Sequence, residues 1–187
     1  MINDFANHTL RFYHDRIVDL DANETVMMEW ESMLMREHAR VACHNRGDVL
    51  EIGFGMGLSA RHIQSFYPRS HTIVECHQQI LMRLYHWIAH NNVKNVRVIE
   101  GKWYEKRAEL GIYDGIFFDT FRDKSAPQFA DCAQDLIKPG GKITFWNSTG
   151  RPENLYNFKA IYHKIPINPP ANTYYNETSY FLPEVNA

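Results

Sequence analysis

Cysteine is scarce in this chain: Cys43, Cys76 and Cys132 are three thiols in 187 residues, odd in number and widely spaced. That excludes a disulfide scaffold and suits a reducing compartment. No apolar run approaches the roughly 20 residues that cross a bilayer. The opening MINDFANHTLRFYHDR also lacks the apolar core of a secretory signal. A cytoplasmic protein with no membrane partner is therefore expected. An excess of one charge sign is missing too, because 20 Lys and Arg against 22 Asp and Glu give a formal charge of -2. Such a balance argues against a chain built to grip phosphate backbones, so no nucleic-acid partner is expected. Low-complexity blocks and internal periods are absent, which leaves out solenoids and tethered tails.

What is present suffices for one core, with 44% apolar and 13% aromatic residues. Segment 1–24 mixes apolar and charged positions without a period and reads as an arm or lid; 25–187 reads as a single domain. A helical spacing starts near Thr25, with Met27, Trp30, Leu34, His38 and Val41 three or four apart. Thr25 or Asn23 would cap that helix, and Gly47 lies just past its end. Strands over 49–52, 72–75, 96–100, 114–119 and 142–146 then alternate with helices over 58–66, 78–90, 104–110 and 128–137. Pro139-Gly140-Gly141 stops the last helix. This rhythm implies right-handed crossovers and a parallel sheet covered by helices. Two more strands, 158–165 and 174–182, flank the turn-rich connector 168–172 and read as an antiparallel edge pair. The expected fold class is α/β: a doubly wound, mostly parallel seven-stranded sheet with an antiparallel C-terminal edge hairpin.

In such sheets ligands sit beyond the carboxyl ends of the strands, where the topology switches. The strand 49–52 runs straight into Gly53-Phe54-Gly55-Met56-Gly57, where missing side chains let backbone approach a ligand. The next strand ends in Glu75, an acid suited to the two hydroxyls of a ribose. Together they indicate a nucleoside-containing cofactor; the bland alternative is a tight turn with a solvated Glu75. A dinucleotide fingerprint needs a third glycine where Leu58 stands, and no Walker lysine follows, so a P-loop is excluded. A class I S-adenosylmethionine site remains. Val49-Leu50-Glu51-Ile52-Gly53-Phe54-Gly55-Met56-Gly57 resembles the first motif of those methyltransferases. Asp135-Leu136-Ile137-Lys138-Pro139-Gly140-Gly141 is similar to their approach to the fifth strand.

Four segments narrow the resemblance: Val26-Met27-Met28-Glu29-Trp30-Glu31, Gly53-Phe54-Gly55-Met56, Glu100-Gly101-Lys102-Trp103 and Phe118-Asp119-Thr120-Phe121. With the ending Pro169-Pro170-Ala171-Asn172-Thr173-Tyr174-Tyr175, they resemble the guanidinoacetate N-methyltransferase family and its relative, the fungal-type protein arginine N-methyltransferases. The resemblance implies a Rossmann-like class I fold with S-adenosyl-L-methionine as cofactor. It implies that Gly53, Phe54, Gly55, Met56 and Gly57 hold the methionine part and that Glu75, with Cys76 beside it, holds the ribose. Gly101, Lys102 and Trp103 would lie against adenine. Met27 and Met35 match the family's entry methionines, although Met27 and Trp30 serve equally as core residues and Met35 better as core.

A guanidinium keeps its proton above pH 12 and presents a planar fork of donors. Methylating it needs carboxylates that bind the fork and one that accepts a proton. The resemblance maps Asp119 and Glu31 to guanidine-binding acids. Asp119 is expected as the orienting base and Glu31 as the second clamp, with Thr120 and Asn147 beside the substrate. Glu29, two positions away, would point elsewhere. Three other signals are set aside. Asn168-Pro169-Pro170-Ala171 stands in the wrong place for an amino-methylating motif. His86 and His90 lack a third metal ligand, so no metal is expected. Cys76-His77 reads as cofactor lining rather than a catalytic thiol.

Two departures from the family stand out. Only about a dozen residues near 148–157 precede the final hairpin, so a covering helix is short or missing, and the exposed edge suggests a homodimer. The family's aromatic lid is also missing, with Phe12 and Tyr13 as substitutes. The expected activity is N-methylation of a small guanidino molecule, such as arginine or guanidinoacetate. The alternatives are a protein arginine methyltransferase, disfavoured by the lack of a docking domain, a non-catalytic cofactor-binding partner, or methylation of another amine or hydroxyl.

Overall fold

The computed structural model describes residues 4–122, 124–153, 158–171 and 173–187. Its frame is a seven-stranded sheet built from β4 (Asp48–Ile52), β5 (Ser70–Glu75), β6 (Val96–Glu100), β7 (Tyr113–Phe118), β8 (Ile137–Phe145), β9 (Ile161–Pro166) and β10 (Ser179–Asn186). The order across the sheet is β6-β5-β4-β7-β8-β10-β9. The first five strands run parallel, and β10 lies antiparallel to both β8 and β9. The central strands are short and near-continuously apolar because helices cover both faces. Between them run α1 (Ser32–Ala42), α2 (Leu58–Ser65), α3 (Gln78–His90) and α4 (Ala126–Cys132). Leu50, Ile52, Ile116 and Phe118 fill one face of the sheet; Val49 and Phe117 meet α1 on the other. Gly115 on β7 is required by that contact, since a β-carbon there would sit 1.7 Å from the Ala42 carbonyl oxygen. At the amino ends, Lys138 bridges Asp48 and Asp114 at 2.9 and 2.7 Å.

The N-terminal segment corrects the sequence reading. No helix begins at Thr25; β1 (Leu10–Phe12), β2 (Arg16–Asp19) and β3 (Glu24–Met28) form a separate antiparallel sheet. Met27 lies on β3, while Trp30 and Glu31 lie on the single 3-10 turn Glu29–Glu31 that leads into α1. The apolar spacing of Met27, Trp30 and Leu34 thus crosses a strand, a turn and a helix. The helix expected over 104–110 shrinks to the turn Arg107–Glu109. The final strand starts at Ser179 rather than 174, so Tyr174 is on the connecting loop. Of the stretch 148–157 and the connector 168–172, residues 154–157 and Asn172 lie outside the described residues.

A buried histidine fastens α1 to the last strands. His38 is fully buried and stacks on Phe117 with centroids 4.6 Å apart. The Thr144 hydroxyl donates to the Pro183 carbonyl, so its oxygen accepts from His38 Nδ1 at 2.7 Å. Asn147 N–H donates to the Tyr180 hydroxyl, which in turn donates to His38 Nε2 at 2.9 Å. One directed chain therefore fixes the neutral tautomer, and burial pushes the imidazole down to about 3. His38→Leu would leave the Tyr180 O–H without an acceptor and take away one of the two bonds of the Thr144 hydroxyl, at a cost of about 2–4 kcal/mol. Thermal unfolding should read this as a midpoint lowered by roughly 5–15 °C; a change under about 2 °C would remove the chain from the account of stability.

Candidate active site

Four strands deliver their carboxyl ends to one cavity of about 820 Å³, within the roughly 300–1,000 Å³ usual for small-molecule sites. Gly53 and Phe54 follow β4, Glu75 ends β5, Gly101 follows β6 and Asp119 follows β7. The order of the sheet reverses between β4 and β7, so this is its switch point. Gly53 has φ +93°, and a β-carbon there would lie 1.9 Å from the Asp119 carbonyl oxygen. No other residue type allows the two strand ends to meet so closely.

Glu75 is buried and clamped by three backbone donors. Its Oε1 accepts from Cys76 and His77 N–H, both at 2.8 Å, and its Oε2 accepts from Phe54 N–H at 3.0 Å. Burial raises this carboxyl above its ordinary value, opposed by those three bonds. The clamp ties the glycine loop to the end of β5 and sets the acid in the cavity wall beside Cys76, Val74 and Ile80. An acid with a fixed orientation, apolar neighbours and glycine backbone at Gly53, Gly55 and Gly101 together fit a nucleoside. Lys102 also reaches the wall; its ammonium lies 2.6 Å from Asp4, which holds it above the ordinary lysine range. Trp103 donates to Ser125 Oγ at 2.7 Å and stands edge-on to Phe118 and Phe129, so it is a core residue with one side on the cavity. Met27 lines the wall, and its sulfur accepts from Met56 N–H at 3.4 Å. Met56 and Gly57 stand behind the wall, Gly57 as the left-handed cap of α2.

Glu31 and Asp119 face this same cavity, together with Thr120. Glu31 is only 2% exposed. Its Oε1 accepts from Met28 N–H at 2.6 Å and from the Tyr174 hydroxyl at 2.5 Å. Burial, joined by the charge of Asp119, pushes Glu31 up to about 8. Asp119 rises to about 7, first through burial and then through the charge of Glu51. Tyr174 is held well above the ordinary phenol range by burial and by Glu31. Glu29 turns outward and pairs with Arg61 at 3.6 Å. Asn147 is not in the cavity wall: its amide donates to the Arg151 and Phe181 carbonyls and accepts from Thr149. The N-terminal segment adds Asp4 and Phe5 to the wall, Phe5 edge-on to Phe121 at 5.1 Å. Sequence reasoning missed Tyr174, because a contact spanning 143 positions leaves no local signal.

A family model for guanidinoacetate N-methyltransferase matches residues 13–168. This chain belongs to that family. Among its relatives, protein arginine N-methyltransferase 2 of Kluyveromyces lactis is 28% identical over 210 residues, covering 94% of this chain and 51% of the relative. The Saccharomyces cerevisiae protein of the same name is 30% identical over 160 residues, covering 78% of this chain and 38% of the relative. The chain thus spans about half of the first relative's length and less of the second's. Among solved structures, M. jannaschii TYW2 in complex with AdoMet aligns with a TM-score of 0.60 at 16% identity, over all of this chain and 87% of that one. That likeness places the fold among the Rossmann-like methyltransferases. The relatives' names correct one expectation: they specify arginine in protein, which conflicts with a small guanidino molecule as the partner. Among the described residues, no helix is long and apolar enough to cross a membrane.

Proposed function

We propose that this member of the family is an S-adenosylmethionine-dependent N-methyltransferase acting on the guanidinium of arginine in a polypeptide. The observation that carries the reading is the pair of shielded carboxylates, Glu31 and Asp119, on one cavity wall with the glycine loop and Glu75. Glu75 and the backbone at Gly53, Gly55 and Gly101 would hold the cofactor. When bound, it supplies a methyl group on a sulfonium, with a neutral thioether as leaving group.

The chain's own residues then have three tasks. Glu31, oriented through Oε1 by Met28 and Tyr174, offers Oε2 to one edge of the planar fork. Asp119 takes a second edge and draws electron density toward the nitrogen that reacts. As that nitrogen gains a methyl it must give up one proton, which a carboxylate oxygen of Asp119 accepts. Both acids hold protons too tightly when the site is vacant, and an arriving cation reverses this by favouring their charged forms. Exclusion of water by the N-terminal segment strengthens each of these contacts.

The test is transfer of labelled methyl to a peptide containing one arginine, beside the same peptide with citrulline or lysine at that position. Label on the arginine guanidine and on neither control is expected. Label on free guanidino compounds but never on a peptide would overturn the reading, as would label on lysine.

A further inference from the structure

Glu51 is a carboxylate the reaction does not touch, yet it is fully buried. Leaving such a group without partners costs several kcal/mol, and this one has two. Ser59 Oγ donates to its Oε1, and His71 Nε2 lies 2.9 Å from its Oε2. Gln64 donates to His71 Nδ1 at 3.2 Å, so the imidazole proton sits on Nε2 and faces Glu51. His71 is also fully buried and Ser59 is 1% exposed. Apolar side chains of equal volume would fill this space at no electrostatic cost. The group's position suggests what it does there.

Glu51 stands on β4, two residues before Gly53, whose α-carbon abuts the Asp119 carbonyl. Asp119 N–H donates to Ile52 O at 2.9 Å, so Asp119 begins where Glu51's strand ends. Ser59, from the first turn of α2, links Glu51 to the cavity wall. We propose that Glu51, held by His71 and Ser59, is a positioning residue: its charge lies behind Asp119 and tunes Asp119 as the proton acceptor. This rests on Asp119 being the base, as proposed above.

The other groups around Asp119 do not supply this effect in the same way. Glu31 reaches the site from the turn before α1, and Tyr174 comes from the β9–β10 loop to hydrogen-bond Glu31. Tyr180 on β10 is engaged with Asn147 and His38. Around Glu51 itself stand His71 from β5, Ser59 from α2 and the Cys43 thiol at the end of α1. That thiol is pushed up to about 12, first by burial and then by the charge of Glu51. A negative neighbour raises the proton affinity of a carboxylate, and higher affinity makes a better acceptor for the guanidine's proton. The arriving guanidinium neutralises Glu31 and Asp119 at their cavity ends; Glu51, sealed behind the wall, keeps its influence throughout.

The experiment is a titration of protein carrying 13C-carboxyl aspartate, with Asp119→Asn identifying the Asp119 resonance. In Glu51→Gln the Asp119 midpoint should fall by roughly half a pH unit or more. In His71→Gln, where an amide still donates to Glu51, it should stay within roughly 0.2 units of wild type. If Glu51→Gln fails to fold, the double change Glu51→Gln with His71→Gln carries the same expected fall. The low-pH limb of methyl transfer should move with the resonance while KM stays within about twofold. An unmoved or raised Asp119 midpoint in either Glu51 variant overturns the proposal, even in an active enzyme. A lowered midpoint in a chain that methylates no arginine upholds the electrostatic link and overturns the functional reading instead.

Discussion

Asp119→Asn should lower methyl transfer to an arginine peptide by about 10²–10⁴-fold, the range for removing a positioned general base. The amide keeps the size of the side chain and can still accept a hydrogen bond from the fork. It cannot take up the proton the reacting nitrogen must lose. Cofactor binding should change by less than about threefold, because Glu75 and the glycine loop are held by their own backbone bonds. Glu31→Gln should act differently. It removes a charge from the clamp without removing the acceptor, so peptide KM should rise and kcat should fall less. Equal loss of cofactor affinity in Asp119→Asn would mean that the substitution disturbs the glycine loop, and the assignment of the base would fail.

The second large effect is a reversal of stability with pH. Burial raises Glu31 from the ordinary 4.5 to about 8 and Asp119 from 3.8 to about 7. The folded chain therefore keeps protons that the unfolded chain releases near pH 4. These groups contribute stability that is fully present below that pH and is lost as pH rises through about 7 and 8. The ligand-free protein should lose on the order of 5 kcal/mol or more from them between pH 5 and pH 9. Glu31→Gln removes part of that loss, and its amide oxygen can still accept from Met28 and Tyr174. At pH 9 the variant should melt on the order of 10 °C above wild type, and at pH 5 within about 2 °C of it. Parallel melting curves across this range would show that Glu31 does not carry a raised proton affinity. Gain of stability with loss of activity is the usual sign of a strained functional site.

The parallel frame could be read from the sequence because each of its signals is local. Strands over 96–100 and a helix over 78–90 match the structure residue for residue. The glycines at Gly53 and Gly55 and the acid at Glu75 announced the switch point, since only close backbone approach explains that spacing. The N-terminal sheet was not legible: its strands are three to five residues long, too short for a period to emerge. Met27 looked helical because Trp30 and Leu34 happen to continue its spacing after the chain has changed conformation. Asn147 has the right polarity and place in the chain for a substrate contact, but its amide is spent on the carbonyls of Arg151 and Phe181. Tyr174 and the Glu51–His71 pair depend on contacts between distant parts of the chain, which no window of sequence contains.

The central claim is that two shielded carboxylates converge on one guanidinium, and it has a direct thermodynamic signature. Calorimetry of arginine-peptide binding, with S-adenosylhomocysteine present and in two buffers of different ionisation enthalpy, counts the protons exchanged. At pH 7 the wild-type chain should release about one proton per peptide bound, as Glu31 and Asp119 become charged against the cation. Glu31→Gln and Asp119→Asn should each release less. Binding without proton release, unchanged in both variants, would contradict the account.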